Sequence, residues 1–382
     1  MSDNKLSTTI KLAIAIAALG AAGQAAAVEF NAGDTTVDIY GYARLNASYD
    51  IDEDISRATG TRSGDFSKVN TGASEDNEVS GHFGADAVQS RLGVRTTLPN
   101  GVKVTVEGDF RTSTSTVRLR HAFGQYKNWL IGQTWSNYTA FTGATSVLEF
   151  DGVAGNAGLY SRSPQVRYTT GGLSLAAEDS KASITDGTAA VTTKQSIPTF
   201  TARYTGKSGP MAFSTSALIQ QVGYDTGTED DAAMGFAVFG SARFSITDTV
   251  SVQGNVNYTD GANGYLWRSG TNYYGEDAYM DASGNVETIT GYSANIGTSI
   301  KAGPGAFNVV YGMTTMDWDD AIDDGLAVGD KHETNTNAFV NYQWSPLQNV
   351  DFGVQYGYFH VKKVNGDDGN ASRVMFAAQY NF

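Results

Sequence analysis

From Val37 to the C-terminal Phe382, apolar and polar residues alternate one for one in segment after segment. Val37, Ile39, Ala43 and Leu45 alternate with Asp38, Tyr40, Arg44 and Asn46. Val102, Val104 and Val106 alternate with Lys103, Thr105 and Glu107. At the end, Val374, Phe376, Ala378 and Tyr380 stand against Arg373, Gln379 and Asn381. A period of two is the signature of strands with one apolar face, and no comparable stretch reads at helical period. About 16 such segments occur, each near the ~9–11 residues that a tilted strand needs to cross a bilayer.

The connections alternate as regularly as the side chains. Short ones fall at 99–101, 127–128, 171–172, 206–210, 245–248, 302–305 and 345–349. Longer polar segments lie between them, among them roughly 51–88, 135–164, 180–198, 222–233, 260–290 and 317–334. An up-and-down barrel has tight turns on one rim and loops on the other, which gives this rhythm. A soluble β-sandwich has no reason to show it. Pro99, Pro210, Pro304 and Pro346 sit in short turns, and Pro164 and Pro198 where long loops re-enter strands. Proline cannot donate to a sheet ladder, so these places suit it. The pattern predicts an all-β fold: a 16-stranded antiparallel transmembrane β-barrel with short periplasmic turns and long extracellular loops. Tyr49, Tyr258, Tyr292, Tyr342, Tyr356, Tyr358 and Tyr380 lie on the apolar faces, many near strand ends. That placement suits interfacial girdles, although tyrosine also favours soluble strands.

Composition narrows the class. The chain has 382 residues, no cysteine and a formal charge of −14. It therefore offers no disulfide, thiol nucleophile or cysteine-based metal site, and its acidity argues against a nucleic-acid partner. Residues 1–27 carry Lys5 and Lys11, an apolar run from Leu12 and Ala25-Ala26-Ala27. This is the layout of a secretory signal peptide with a small-residue cleavage site. The run, about 11 residues, is too short for a spanning helix. Residues 28–382 would then form the barrel.

The stretch VRLRHAF (117–123) shows what the barrel must separate. Alternation puts Val117, Leu119, His121 and Phe123 on one face, and Arg118 and Arg120 on the other. Two arginines facing lipid near the midplane would cost about 4–8 kcal/mol. Their repulsion across ~7 Å of water is only about 0.6 kcal/mol. The guanidiniums are therefore expected inside, in water. The same parity sends Arg91, Arg95, Arg167 and Arg203 inward, against fewer acids such as Glu107, Asp109 and Glu178. The acidic excess lies mostly in loops, as in DWDDAIDD (317–324). Rings of arginine favour anions in a pore; the alternative is that these arginines pair with wall acids and stiffen the barrel. Segment 135–164, with Glu149 and Asp151, is a candidate constriction loop that would set Arg162 against the basic wall. It could equally be an external loop.

LRHAFGQYKNWLIGQTWSNY (119–138), EFDG (149–152) and RSPQVRYT (162–169) resemble the DcaP-like trimeric porins of Gram-negative outer membranes. The terminal Phe382 resembles the C-terminal assembly signal of outer-membrane proteins. The match is specific over 90–170 and loose elsewhere. The resemblance implies 16 strands, a homotrimer, a third loop that constricts the pore, and uptake of small anions such as dicarboxylates. Arg118, Arg120, Arg162 and Arg167 fall inside the matching segments and carry over as channel-lining positions. Some members carry a helical N-terminal extension; only about ten residues here separate Val28 from the first strand, so trimer contacts are expected from the barrels themselves.

The expected function is passive diffusion of small hydrophilic solutes across the outer membrane, with preference for anions. The partners expected are outer-membrane lipid, lipopolysaccharide and small anionic solutes, with no cofactor. The alternatives are a non-selective general porin and a plugged structural or adhesive barrel. A hydrolase needs a nucleophile, base and orienting acid in contact, and His82, His121, His332 and His360 lie in no catalytic motif. DWDDAIDDG lacks the spacing of an EF-hand, so its acids read as a solvated loop rather than a metal site.

Overall fold

Each alternating segment becomes a strand bonded to its neighbours in sequence. The computed structural model describes residues 28–57, 61–77, 79–112, 116–158 and 161–382; the expected signal peptide, residues 1–27, lies outside them. The strands are β1 (Thr35–Asp50), β2 (Arg91–Thr97), β3 (Lys103–Asp109), β4 (Arg118–Tyr126), β5 (Trp129–Trp135), β6 (Arg162–Thr170), β7 (Leu173–Glu178) and β8 (Thr199–Ser208). They continue as β9 (Met211–Asp225), β10 (Asp230–Ser245), β11 (Val250–Asp260), β12 (Thr290–Ala302), β13 (Gly305–Met316), β14 (His332–Leu347), β15 (Val350–Lys363) and β16 (Asp368–Asn381). All neighbours are antiparallel, and β16 pairs with β1 from Tyr42↔Asn381 to Asp50↔Arg373. The backbone of Gly41 exchanges two 3.0 Å hydrogen bonds with that of Phe382, completing the seam. The result is a closed 16-stranded antiparallel barrel, so none of these strands forms a sheet edge in the membrane; Val28–Ala32 pairs with the start of β1.

Side chains sort by parity. Val106, Ile131, Val256, Ile296, Val309 and Tyr380 are among the exposed apolar groups of the outer surface. On β16, Arg373, Met375, Ala377 and Gln379 are buried inside while Val374 and Tyr380 face out. Strand β2 is interrupted, and its upstream continuation, His82–Asp86, bonds the far end of β1. At the break the Arg44 backbone N–H, without a ladder partner, donates to Ser90 Oγ at 2.9 Å. Such rescue is what a buried amide requires.

The alternation of VRLRHAF does not survive intact. Glu107 pairs with His121 but Gly108 with Leu119, so Arg120 is an extra residue in β4. A bulge of one residue inverts parity beyond it. Leu119 stays outside, half exposed. His121 and Phe123, expected on the outer face, stand opposite the inward residues Glu107 and Thr105.

Three long loops fold into the barrel. The β5–β6 loop runs along the inside of β10 to β16. Ser241 Oγ accepts from Gly143 N, Gln253 Nε2 donates to Thr145 Oγ1, and Asn341 Nδ2 donates to the Ser146 carbonyl. Gln355 Oε1 accepts from Leu148 N at 2.7 Å, and Asn337 Oδ1 from Ala154 N at 3.0 Å. Small inward polar residues on alternate positions thus replace the ladder partners that a loop backbone lacks. Ile55 and Phe66 of the β1–β2 loop pack with Val153 against Phe339, Phe359 and Val361. Tyr265 of the β11–β12 loop packs with Tyr138 against Leu218 and Phe239.

A buried ionic rivet fixes these loops. Arg373 of β16, fully buried, pairs with Asp50 at 2.8 Å and with Glu149 at 3.5 Å. Glu149 also accepts from Gly64 N, tying two loops to the wall. Asp151 pairs with Arg111 at 2.8 Å and accepts from Tyr273 Oη at 2.6 Å. Burial pushes the Glu149 carboxyl up against the pull of Arg373 and Arg268. Burial also works to raise Asp151, but Arg111 and Arg268 hold it below the usual carboxylate range. Glu149→Ala should weaken docking of the loop by about 1–3 kcal/mol, since Asp50 still neutralises Arg373. Amide exchange over 145–153 should then accelerate while the strands keep their protection; unchanged exchange in the loop would contradict the rivet.

Candidate channel wall

With loops packed along β9–β16, the basic residues stand on the opposite side, on β2 to β8. Register brings them together. Arg91, Asp109 and Arg118 lie opposite one another across β2, β3 and β4. Arg118 grips Asp109 with two hydrogen bonds, Nε to Oδ1 at 2.9 Å and Nη2 to Oδ2 at 2.6 Å. Arg120, placed by the bulge, donates to Glu107 Oε1 at 2.7 Å and to Asp109 Oδ2 at 3.0 Å. The two guanidiniums of the 117–123 stretch are thus matched by the two carboxylates of β3. Planar guanidinium suits such forked pairing.

Other cations of this wall have no such match. Among the described residues, no carboxylate lies within ion-pair distance of Arg91, Arg95, Arg162, Arg167 or Arg203. Aromatic rings and carbonyls hold them instead. Arg91 lies over Tyr42 at 5.1 Å, Arg95 over Tyr40 at 4.9 Å and Arg162 over Trp135 at 4.0 Å. Ring faces attract cations without neutralising them. Arg167 donates to the Trp135 carbonyl at 2.6 Å, and Arg203 donates to that of Thr139. The charges acting on Arg162 are chiefly those of Arg120, Arg91 and Arg118, with Asp109 opposing. Around this point stand four arginines and two carboxylates.

The sequence-derived candidates therefore divide. Arg91, Arg118, Arg120 and Arg162 form one cluster with Glu107 and Asp109. Arg95 lies one repeat nearer the short turns, and Arg167 and Arg203 anchor the start of the inward loop. Glu149 and Asp151 belong to that loop, as expected, but are spent on Arg373 and Arg111 rather than turned toward the cluster. Tyr40, Tyr42 and Trp135 were missed as supports of the arginines, although inward parity marks the two tyrosines. Arg268, fully buried beside Phe66 and donating to the Gly64 carbonyl at 3.0 Å, lies in a loop that shows no periodicity. His121 meets Thr134 Oγ1 at 3.0 Å, and its other nitrogen is 3.9 Å from Glu107, beyond hydrogen-bond reach.

The profile of the DcaP outer membrane protein family matches residues 13–382. Among proteins with curated descriptions, none matches. The outer membrane channel DcaP of Acinetobacter baumannii has a crystal structure similar to this one. The TM-score is 0.77 at 26% identity, over 92% of this chain and 99% of that one. The anion-selective porin from Comamonas acidovorans shares the fold at a TM-score of 0.57 and 15% identity, over 91% of this chain and all (100%) of that one. OmpT of Vibrio cholerae shares it at 0.56 and 12%, over 93% and 100%. A closed 16-stranded barrel, loops folded within it and a family match across nearly the whole chain agree: the chain belongs to the DcaP outer membrane protein family and is a porin, a non-enzymatic channel of the outer membrane.

Proposed function

We propose that this porin passes small anions in preference to cations, dicarboxylates among them, and that it works as a homotrimer. The observation that carries the first part is the surplus of guanidinium over carboxylate at the arginine cluster. An anion crossing a narrow passage loses hydration, at a cost that fixed positive charge offsets. Arg118 and Arg120 are neutralised by Asp109 and Glu107, so they hold the wall and orient the cluster. Arg91, Arg95 and Arg162 carry the uncompensated charge. A dicarboxylate has two charged ends and gains from cations spaced along the wall; arginine offers each end a forked donor. A non-selective pore would need the surplus balanced by acids, and the acids of the inward loop, Glu149 and Asp151, are already paired.

The trimer reading rests on strand length. Strands β3 to β7 have 7, 9, 7, 9 and 6 residues, whereas β9 to β16 have 11 to 16. At a tilt of ~45° the short ones rise about 14–21 Å, less than the apolar band of ~25 Å. A low wall is poorly matched to lipid and well suited to cover by a second barrel. A trimer form of OmpT from Vibrio cholerae is among the solved fold relatives.

Two experiments test these readings. A unit charge ~6 Å from an ion in water shifts its energy by about 0.7 kcal/mol, roughly threefold in occupancy. Reversal potentials in asymmetric KCl should therefore show anion preference. Arg91→Gln with Arg162→Gln should lower the anion-to-cation permeability ratio several-fold and leave the Asp109 and Glu107 pairs intact. Cation preference in the unmodified channel would overturn the selectivity. A photo-crosslinking residue at Ile131, on the outer face of β5, should trap dimers and trimers, and one at Val309 on β13 should not. Equal yields at both positions would contradict the proposed interface.

A further inference from the structure

The loop ends form a half-open cavity of about 450 Å³, whose polar lining residues include Lys181, Ser183, Thr185, Tyr274, Glu276 and Lys331. Its size is that of a small-molecule pocket. Three loops meet there: Lys181 and Ser183 follow β7, Tyr274 and Glu276 lie between β11 and β12, and Lys331 precedes β14. A small outer sheet helps to hold them. It pairs Ile184–Thr185 with Ala190–Val191 and with Ala278–Met280, which in turn pairs with Val286–Thr288. Below it, Asp277 is fully buried and accepts from Ser183 N and Gly264 N, both at 2.7 Å, joining two of the loops.

The two lysines differ in how they are occupied. Lys331 Nζ pairs with Glu276 at 2.7 Å and lies 3.4 Å from Thr185 Oγ1. Among the described residues, Lys181 Nζ makes one hydrogen bond, to Ser161 Oγ at 3.1 Å. An ammonium has three donors, so two remain for a ligand. Carboxylates nearby are Glu276, Asp179 and Glu178; the facing cation is Arg162, the residue after Ser161. Tyr274 is likewise close to Ser161, Arg162 and Arg111. Ser161 and Tyr274 thus stand between the cavity and Arg162 of the arginine cluster.

We infer that this cavity is an anion-docking station in the extracellular mouth, where Lys181 takes one carboxylate of a small organic acid before the solute passes to Arg162. Ser183, Thr185 and Tyr274 supply hydroxyls around it, and the Lys331–Glu276 pair closes one side without adding net charge. The inference rests on the anion preference proposed above and adds a position, a residue and a sidedness to it. Docking there raises the local concentration of solute at the constriction, so it acts on the rate of capture from the loop side.

Single-channel recording with succinate as the blocking probe tests this. Lys181→Met should lower the association rate of blocks about threefold or more when succinate is added on the loop side. It should leave blocks from the turn side unaltered and shift the KCl reversal potential much less than the Arg91 and Arg162 substitutions do. Lys181→Arg should restore the loop-side rate. Lys331→Met, which leaves Glu276 unneutralised, should depress that rate further. Loop-side blocks unaffected by Lys181→Met would overturn the station, as would a shift of reversal potential like that of the Arg91 and Arg162 substitutions. A cation-preferring unmodified channel would count against the anion reading itself, and loop-side blocks that still depended on Lys181 would support the station.

Discussion

In hydrocarbon a backbone amide has no partner except another part of the chain, and this constraint organises the whole molecule. It forces the ladder to close, which the seam between Gly41 and Phe382 accomplishes. Closure then gives every strand one face toward lipid and one toward the interior. With that division made, 117–123 has no freedom over where its arginines go. Even the bulge at Arg120 obeys it: the extra residue turns His121 and Phe123 inward while Leu119 remains outside.

Interior charge meets one of two fates. Where loops exclude water, two cations are matched to acids. Arg373 faces Asp50 and Glu149, and Arg111 faces Asp151. Removing one partner of such a set leaves an uncompensated charge in a dry site. On the β2–β8 side Arg118 and Arg120 are matched in the same way, but Arg91, Arg95 and Arg162 rest on aromatic rings and Arg167 and Arg203 on loop carbonyls. Arg162 on Trp135 and Arg91 on Tyr42 have ring faces, not carboxylates, as their nearest supports. One residue type thus serves as rivet where it is matched and, in the proposed function, as solute contact where it is not.

Much of this was legible in the sequence because barrels repeat. Alternation marked the strands, proline marked the turns, and parity sorted Arg91, Arg95, Arg118, Arg120, Arg167 and Arg203 from Leu119 and Val106. What alternation cannot carry is a local insertion. Nothing in VRLRHAF distinguishes a bulge from a regular strand, because the bulge is defined by the register of β3. Loops are opaque for a related reason. Phe66, Arg268 and Tyr273 lie in segments without periodicity, and their burial depends on contacts far along the chain, such as Phe66 with Phe359. The pairing of Glu149 with Arg373 was hidden in the same way, since 224 residues separate them.

The central claim is that matched and unmatched arginines inside one barrel have different work. Anomalous diffraction from crystals grown in bromide tests it directly. The account predicts bromide beside Arg91 and Arg162, which no described carboxylate pairs, and none beside Arg373 or Arg111. Bromide at the matched pairs, or its absence from the Arg91–Arg162 wall, would contradict it.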